Sequence, residues 1–137
     1  MTDTIRLVDY FYVLVPDRPG QGLAILKRLR EEGVDLLGFS GFPEARKSQL
    51  DFLPADPAAF KTAMRKLRIK PIGPKKAFLA SGEDRPGALV DILTPLVAVK
   101  VNVTAVDAIA APEGQFSALL WVKPREVRRA AKALGIG

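Results

Sequence analysis

Cysteine and histidine are both missing from this chain of 137 residues. Without cysteine there are no disulfides, thiolate nucleophiles or cysteine-based zinc sites. Without histidine the usual general acid and base near neutral pH is gone. Four serines and scattered carboxylates remain, but no nucleophile-base arrangement can be read from them, and neither a GxxxxGK phosphate loop nor a metal-ligand cluster occurs. A protein that is not an enzyme, and that uses no metal or other cofactor, is the expectation. No apolar run approaches the roughly 18 to 20 residues a membrane span needs. The opening "MTDTIRLVDY" also lacks the charge-then-apolar order of a signal peptide. These two absences predict a cytoplasmic protein without a membrane partner. Asparagine is nearly absent too, with Asn102 alone, while prolines and charges are plentiful, a balance that points weakly to a thermophilic source.

What is present is apolar and basic. Hydrophobic residues make up 48% and charged residues 26%, within the range of globular proteins, and the length suits one ordinary domain or two very small ones. The net charge of +6 is spread along the chain, which raises the expectation of nucleic-acid or acidic partners without establishing either.

The tetrapeptide Asp17-Arg18-Pro19-Gly20 returns 67 residues later as Asp84-Arg85-Pro86-Gly87. At the same offset Phe11 meets Phe78, Ile25-Leu26 meets Ile92-Leu93, Leu29 meets Leu96, Val34 meets Val101, Leu53 meets Leu120 and Ile69 meets Ile136, with no gap. An internal duplication is the economical explanation. It predicts units at 1–70 and 71–137.

Each copy reads in the same order. An apolar run, Val8 to Val15 in the first, is rich in β-branched and aromatic residues and leads into the turn. Ile25, Leu26 and Leu29 then recur at helical spacing, and Gly33 closes that helix. Two strand-like stretches follow, Val34 to Phe42 and Gln49 to Leu53. Asp56-Pro57 opens a second helix in cap-then-proline order, with Phe60, Ala63, Met64 and Leu67 on its inner face. Val127, Ala130, Ala131 and Leu134 take those places in the second copy. A closing strand near Ile69 to Ile72 completes β-α-β-β-α-β, the split βαβ or ferredoxin-like plan.

The expected fold class is therefore α+β, with two ferredoxin-like units built on antiparallel sheets and helices on one face. The second copy reaches only Gly137, aligned with Lys70, before its closing strand. Thr4 to Val8 aligns with Pro71 to Lys75, and so predicts that the N-terminal strand completes the second unit. Pro95 lies inside the second copy's helical pattern and predicts a kink or break there. Continuous apolar character in Tyr10 to Val15 and Leu119 to Val122 predicts a second covered sheet face, with another copy of the chain as its cover.

An apolar strand, then "DRPG", then an amphipathic helix running up to "GVDLLGFS" or "VKVNVTAV", resembles the ACT domain over both copies and nearly the whole chain. The resemblance implies a ferredoxin-like fold, paired units, and a small regulatory ligand, most often an amino acid, held near the turn after the first strand. The residues of that turn agree on the kind of ligand. Proline fixes φ and glycine permits positive φ, so the backbone can reverse tightly and approach a ligand closely. The helix that follows starts with unpaired amides and partial positive charge, a seat for a carboxylate, while Asp17 or Asp84 could hold an ammonium group. The competing reading makes Asp17 a helix cap through the amide of Gly20, with Arg18 and Arg85 solvated or paired with nearby acids.

The candidate ligand-binding residues are Asp17, Arg18, Gly20, Gln21, Gly22 and Leu23 in the first copy, with Asp84, Arg85, Gly87, Ala88 and Leu89 in the second. Gly22 stands where the second copy has Leu89 and where the family pattern has a bulky apolar residue. It signals either room for a ligand or close helix-strand packing. Of the two turns, the first is the favoured site.

The expected function is a non-catalytic sensor of an amino acid, a homodimer or higher homo-oligomer acting through an unidentified partner enzyme. The alternative is an RNA-binding or protein-interaction module that uses the same fold and its basic second helices, Lys61, Arg65, Lys66 and Arg68, then Arg128, Arg129 and Lys132. Nucleic acid is the less favoured partner. The third strands "SQLDFLP" and "GQFSALLWV" lack the basic-Gly-aromatic signature of RNA-recognition domains, and Phe116 and Trp121 read as core or interface residues.

Overall fold

Twelve secondary-structure segments follow in the computed structural model, which describes residues 3–136. The strands are β1 (Thr4–Pro16), β2 (Leu36–Glu44), β3 (Lys47–Pro54), β4 (Ile72–Glu83), β5 (Val103–Ala111) and β6 (Gln115–Val122). The α-helices are α1 (Gln21–Glu31), α2 (Pro57–Lys66), α3 (Ala88–Ala98) and α4 (Val127–Ala133), and short 3-10 turns precede β6 and α4. The fold class is the expected one, two ferredoxin-like units of β-α-β-β-α-β order. No helix among the described residues is long and apolar enough to cross a membrane.

Two compact units divide the chain. Asp9–Lys75 forms the first; Met1–Val8 together with Lys76–Gly137 forms the second. The division thus runs through β1 and β4, each of which gives one end to each unit. In the first unit the hydrogen-bonded strand order is β2-β3-β1-β4, and in the second it is β1-β4-β6-β5. The expectation that Thr4 to Val8 completes the second unit holds: Ile5 packs against a core that contains Phe78, Ala130 and Ala131. The closing strand expected at Ile69 to Ile72 begins at Ile72 and continues without a break into the next unit's first strand.

In the first unit, antiparallel pairing of β1 with β3 sets Phe11 opposite Phe52 and Val13 opposite Leu50. These four face Ile25 and Leu29 of α1 and Phe60, Ala63 and Met64 of α2 in one buried cluster, so both helices lie on one face of the sheet. Phe60 stacks on Phe11 at 4.9 Å between ring centroids and tilts against Phe52 at 5.4 Å, an offset geometry that aromatic pairs favour. Asp56 caps α2 as the sequence predicts, accepting from the amides of Ala58 and Ala59. Gly33 (φ 73°) ends α1, and Val34 donates back to the Leu29 carbonyl in the closing bond such helix ends use.

The second unit repeats the pattern. Phe78 and Ala80 of β4, Phe116, Ala118 and Leu120 of β6, Ile92 and Leu96 of α3, and Ala130 and Ala131 of α4 share one core. Phe116 is thus a core residue, and Trp121 is buried as well.

One expectation needs correction. Pro95 does not break its helix, since α3 continues to Ala98. A proline removes one amide donor near the carbonyl four residues back, and that loss falls beside the exposed Asp91; Thr94 Oγ1 donates to the Val90 carbonyl at 2.6 Å and satisfies a neighbouring acceptor. In the two apolar runs Phe11, Val13, Leu120 and Val122 are buried toward the helices, while at the alternate positions Tyr10, Tyr12 and Leu119 are half-buried and Leu14 is 44% exposed. Large apolar side chains are also exposed on β2, at Phe39 and Phe42, on α3, at Val90 and Val97, and on the edge strand β5, at Val106 and Ile109.

Candidate functional site

Both DRPG turns stand where a strand hands over to a helix, and both put glycine in the left-handed region at the helix start: Gly20 at φ 89° and Gly87 at φ 70°. A side chain there would be strained, so the motif's last position is set by the backbone. Neither α1 nor α3 has a side-chain cap. The reading of Asp17 as a helix cap is therefore corrected. Its carboxylate turns to β3 and accepts from Ser48 Oγ at 3.0 Å.

At the first corner Asp17, Arg18 and Gly20 are exposed, Gln21 and Gly22 half-buried, and Leu23 exposed. Arg18 has no carboxylate partner among the described residues. A β-carbon built on Gly22 would stand 3.7 Å from Leu50 Cδ1, ordinary van der Waals contact. Close packing thus does not demand a glycine, and of the two readings of Gly22 the packing one loses its basis.

At the second corner the same arginine is fully engaged. Arg85 donates through two nitrogens to the two oxygens of Asp3, at 3.0 and 2.9 Å, and also to Asp91 at 2.7 Å and the Glu83 carbonyl at 2.8 Å. Its guanidinium lies 5.8 Å from the centre of the Phe116 ring. The bonds to Asp3 and Asp91 raise the arginine's affinity for its proton, and the same bond to Arg85 holds the Asp3 carboxyl below the usual carboxylate range. Sequence offset explains the contrast, for the positions that hold Asp3 and Asp91 beside Arg85 are Lys70 and Ala24 beside Arg18.

A concavity of about 270 Å³ lies at this second corner. It is lined by Asp84, Arg85, Gly87, Ala88 and Leu89, by residues 108–110 of β5, and by Phe116. Every candidate residue of the second copy thus borders one hollow. Contributions from β5 escaped the sequence, because its Ala-rich stretch carries no polar signal and reaches the turn only through pairing with β6.

Asp51 is the other residue that sequence reasoning passed over. It lies on β3 opposite Tyr12, is only 4% exposed, and accepts from Gln49 Nε2 at 2.9 Å. Burial pushes its carboxyl above the ordinary range, and the neighbouring Tyr10 hydroxyl is raised by its own burial and by the Asp51 charge.

Relatives are visible in fold rather than in sequence. No protein-family model matches the chain, and no curated protein matches it. Among solved structures, the crystal structure of protein BT0572 from Bacteroides thetaiotaomicron is similar with a TM-score of 0.81 at 15% identity, over 96% of this chain and 88% of that one. The ligand-free regulatory subunit of aspartate kinase from Thermus thermophilus is similar with a TM-score of 0.70 at 15% identity, over 98% of this chain and 96% of that one. A structure of aspartokinase alpha and beta subunits gives a TM-score of 0.64 at 15% identity, over 98% and 95%. At such identities the likeness shows the fold, an ACT-like pair of ferredoxin-type units.

Proposed function

We propose that the protein is a non-catalytic regulatory module that binds an amino acid or a closely related zwitterion at its strand-to-helix corners. One observation carries the reading: Asp17 and Asp84 stand beside helix starts and cap neither helix. A carboxylate beside an uncapped helix start pairs an anionic group with amides that favour anions, and a zwitterion has the complementary order of charges. The two corners would act differently. Arg18, without a carboxylate partner among the described residues, can take the ligand's carboxylate directly, and Gly22 leaves room beside it. At the second corner Arg85 is committed to Asp3 and Asp91, so it shapes the hollow and leaves Asp84 and the start of α3 to meet the ligand. Fold likeness to a regulatory subunit of aspartate kinase over nearly the full length of both chains supports a regulatory role.

A non-catalytic module passes on a ligand signal through contact with another protein or a change of assembly, and in either case the ligand must bind two states unequally. A homo-oligomer formed through the second unit supplies such a route. Val97 (71% exposed) lies in an apolar groove on α3, and Ile109 (72% exposed) lies on the edge strand β5. An exposed strand edge with apolar neighbours is a template for pairing.

A thermal-shift screen of the full chain against the standard amino acids tests the reading. A ligand at 100 times its dissociation constant stabilises the fold by about 2.7 kcal/mol. Asp17→Ala or Arg18→Ala abolishes that shift if the first corner binds, and Asp84→Ala abolishes it if the second does. The reading fails if no amino acid shifts the transition. Salt-sensitive RNA binding in its place would favour the RNA-binding alternative, against which the core position of Phe116 and the burial of Trp121 already count.

A further inference from the structure

A second concavity lies in the first unit at the far end of α2. It has a volume of about 380 Å³, within the roughly 300 to 1,000 Å³ of small-molecule sites. Lys61, Arg65, Arg68 and Lys70 line it, with Phe11 and Ile69 among its apolar contributors, and no carboxylate lines it.

The pairing of the cations distinguishes this hollow from an ordinary solvated helix face. Lys66, on the same helix, is neutralised by Glu32 at 2.9 Å. The four lining cations have no carboxylate partner among the described residues. Lys61 and Arg65 are four residues apart on α2, a spacing at which like charges repel, and Arg68 and Lys70 follow just past its end at the same hollow. Unrelieved repulsion around a hollow is relieved by an anion inside it. The negative end of α2 does not oppose this strongly, because the amides of Leu67, Arg68 and Ile69 already occupy the carbonyls of Ala63, Arg65 and Met64.

The second unit serves as an internal control. At the offset of 67, Lys61 and Arg65 correspond to Arg128 and Lys132, but Arg68 and Lys70 correspond to Gly135 and Gly137. Arg68 adopts the left-handed conformation at φ 59° where Gly135 has φ 79°. Lys100 stands in the same relation to Gly33, so the backbone alone is not the signal; the concentration of four unpaired cations on one hollow is.

We infer that this hollow binds a small organic phosphate, at a site separate from both DRPG corners. Two guanidinium groups offer forked donors that match phosphate oxygens in pairs, and two ammonium groups add charge to balance a di- or trianion. A single carboxylate would leave most of that charge uncompensated. A nucleic-acid strand fits less well, because the unpaired cations gather at one hollow instead of tracking a groove lined with stacking aromatics.

Calorimetric titration of the full chain with inorganic pyrophosphate at about 0.15 M ionic strength tests this directly. Wild type binds, and Arg65→Gln with Arg68→Gln weakens binding by about tenfold or more, the loss expected from removing charge-assisted bonds. Arg128→Gln with Lys132→Gln removes the same net charge from residues that do not line the hollow and changes affinity by less than about twofold, as screening of exposed surface charge dictates. Arg68→Gly separates binding from folding, because it relieves the left-handed strain and raises the melting temperature while still lowering pyrophosphate affinity. Failure of wild type to bind pyrophosphate overturns the inference. So do equal losses from the two charge-matched pairs, or tighter binding of a single-stranded RNA to which both pairs contribute.

Discussion

Arg85 grips Asp3 with two parallel hydrogen bonds although 82 residues separate them. The contact joins the chain's N-terminal segment to the second DRPG turn, and a third bond carries it on to Asp91 in α3. Its electrostatics give a pH signature. The Asp3 carboxyl is held below its usual range by Arg85, so the stability it contributes is fully present above the unfolded value of about 3.9 and is lost as pH falls through the lower folded value. Asp3→Asn should therefore lower the melting temperature at neutral pH, with the difference from wild type shrinking in acid below about pH 3.9. A difference that stayed constant down to strong acid would remove the ion pair as its cause. Arg85→Lys should keep the charge pairing, and with it a pH dependence of the same sign, but lower the melting temperature, since a lysine cannot supply two parallel hydrogen bonds.

Asp51 should show the opposite sign. Burial raises its carboxyl, so the folded state holds a proton that the unfolded chain releases, and stability declines as pH rises from the unfolded value through the folded one. Asp51→Asn keeps the shape and can still accept from Gln49. It should raise the melting temperature near neutrality and make no difference below about pH 3.9, where both forms are neutral. Denaturation followed across pH in both proteins decides the matter, and a destabilised variant at neutral pH would refute it.

Two glycines should respond oppositely to alanine. At Gly22 the added methyl meets only Leu50 at 3.7 Å, and helix propensity should gain about 0.5 to 1 kcal/mol. At Gly73 the methyl would stand 2.8 Å from the Tyr10 carbonyl oxygen with φ at 138°, and the loss should be about 1 to 3 kcal/mol or more. Chemical denaturation measures both. If Gly22 leaves room for a ligand, Gly22→Ala should also blunt the amino-acid shift while stabilising the unliganded fold.

The apolar surface of the second unit makes a prediction about assembly. Ile109→Lys places a charge on the exposed face of β5 without touching the core, so it should leave folding stability within about 0.5 kcal/mol of wild type. If the chain assembles through this face, sedimentation velocity should show a smaller species for Ile109→Lys than for wild type. An unchanged sedimentation coefficient would remove β5 from the interface.

Local chemistry made much of this fold legible. The DRPG turns, the Asp56-Pro57 start of α2 and the inner stripe of Phe60, Ala63 and Met64 are short-range signals, and each stands where its residues predict. Even the completion of the second unit by Thr4 to Val8 could be argued, because the repeat leaves one strand unaccounted for. What escaped depends on distant partners. The fates of Arg18 and Arg85, identical in motif, diverge because of residues at positions 3 and 91 against 70 and 24. The basic hollow was invisible for the same reason: only the fold shows that Glu32 neutralises Lys66 and leaves Lys61, Arg65, Arg68 and Lys70 facing one space.

The discontinuous second unit also sets an order of events at the ribosome. Residues 9–75 are contiguous, so the first unit has all its strands as soon as Lys75 has emerged. Thr4 to Val8 emerges before the first unit but belongs with partners synthesised after it, and domains fold as units during synthesis. Nascent chains arrested just past Lys75 should therefore hold a protease-resistant first unit with the Thr4 to Val8 strand still waiting, and the second unit can close only once α4 has followed.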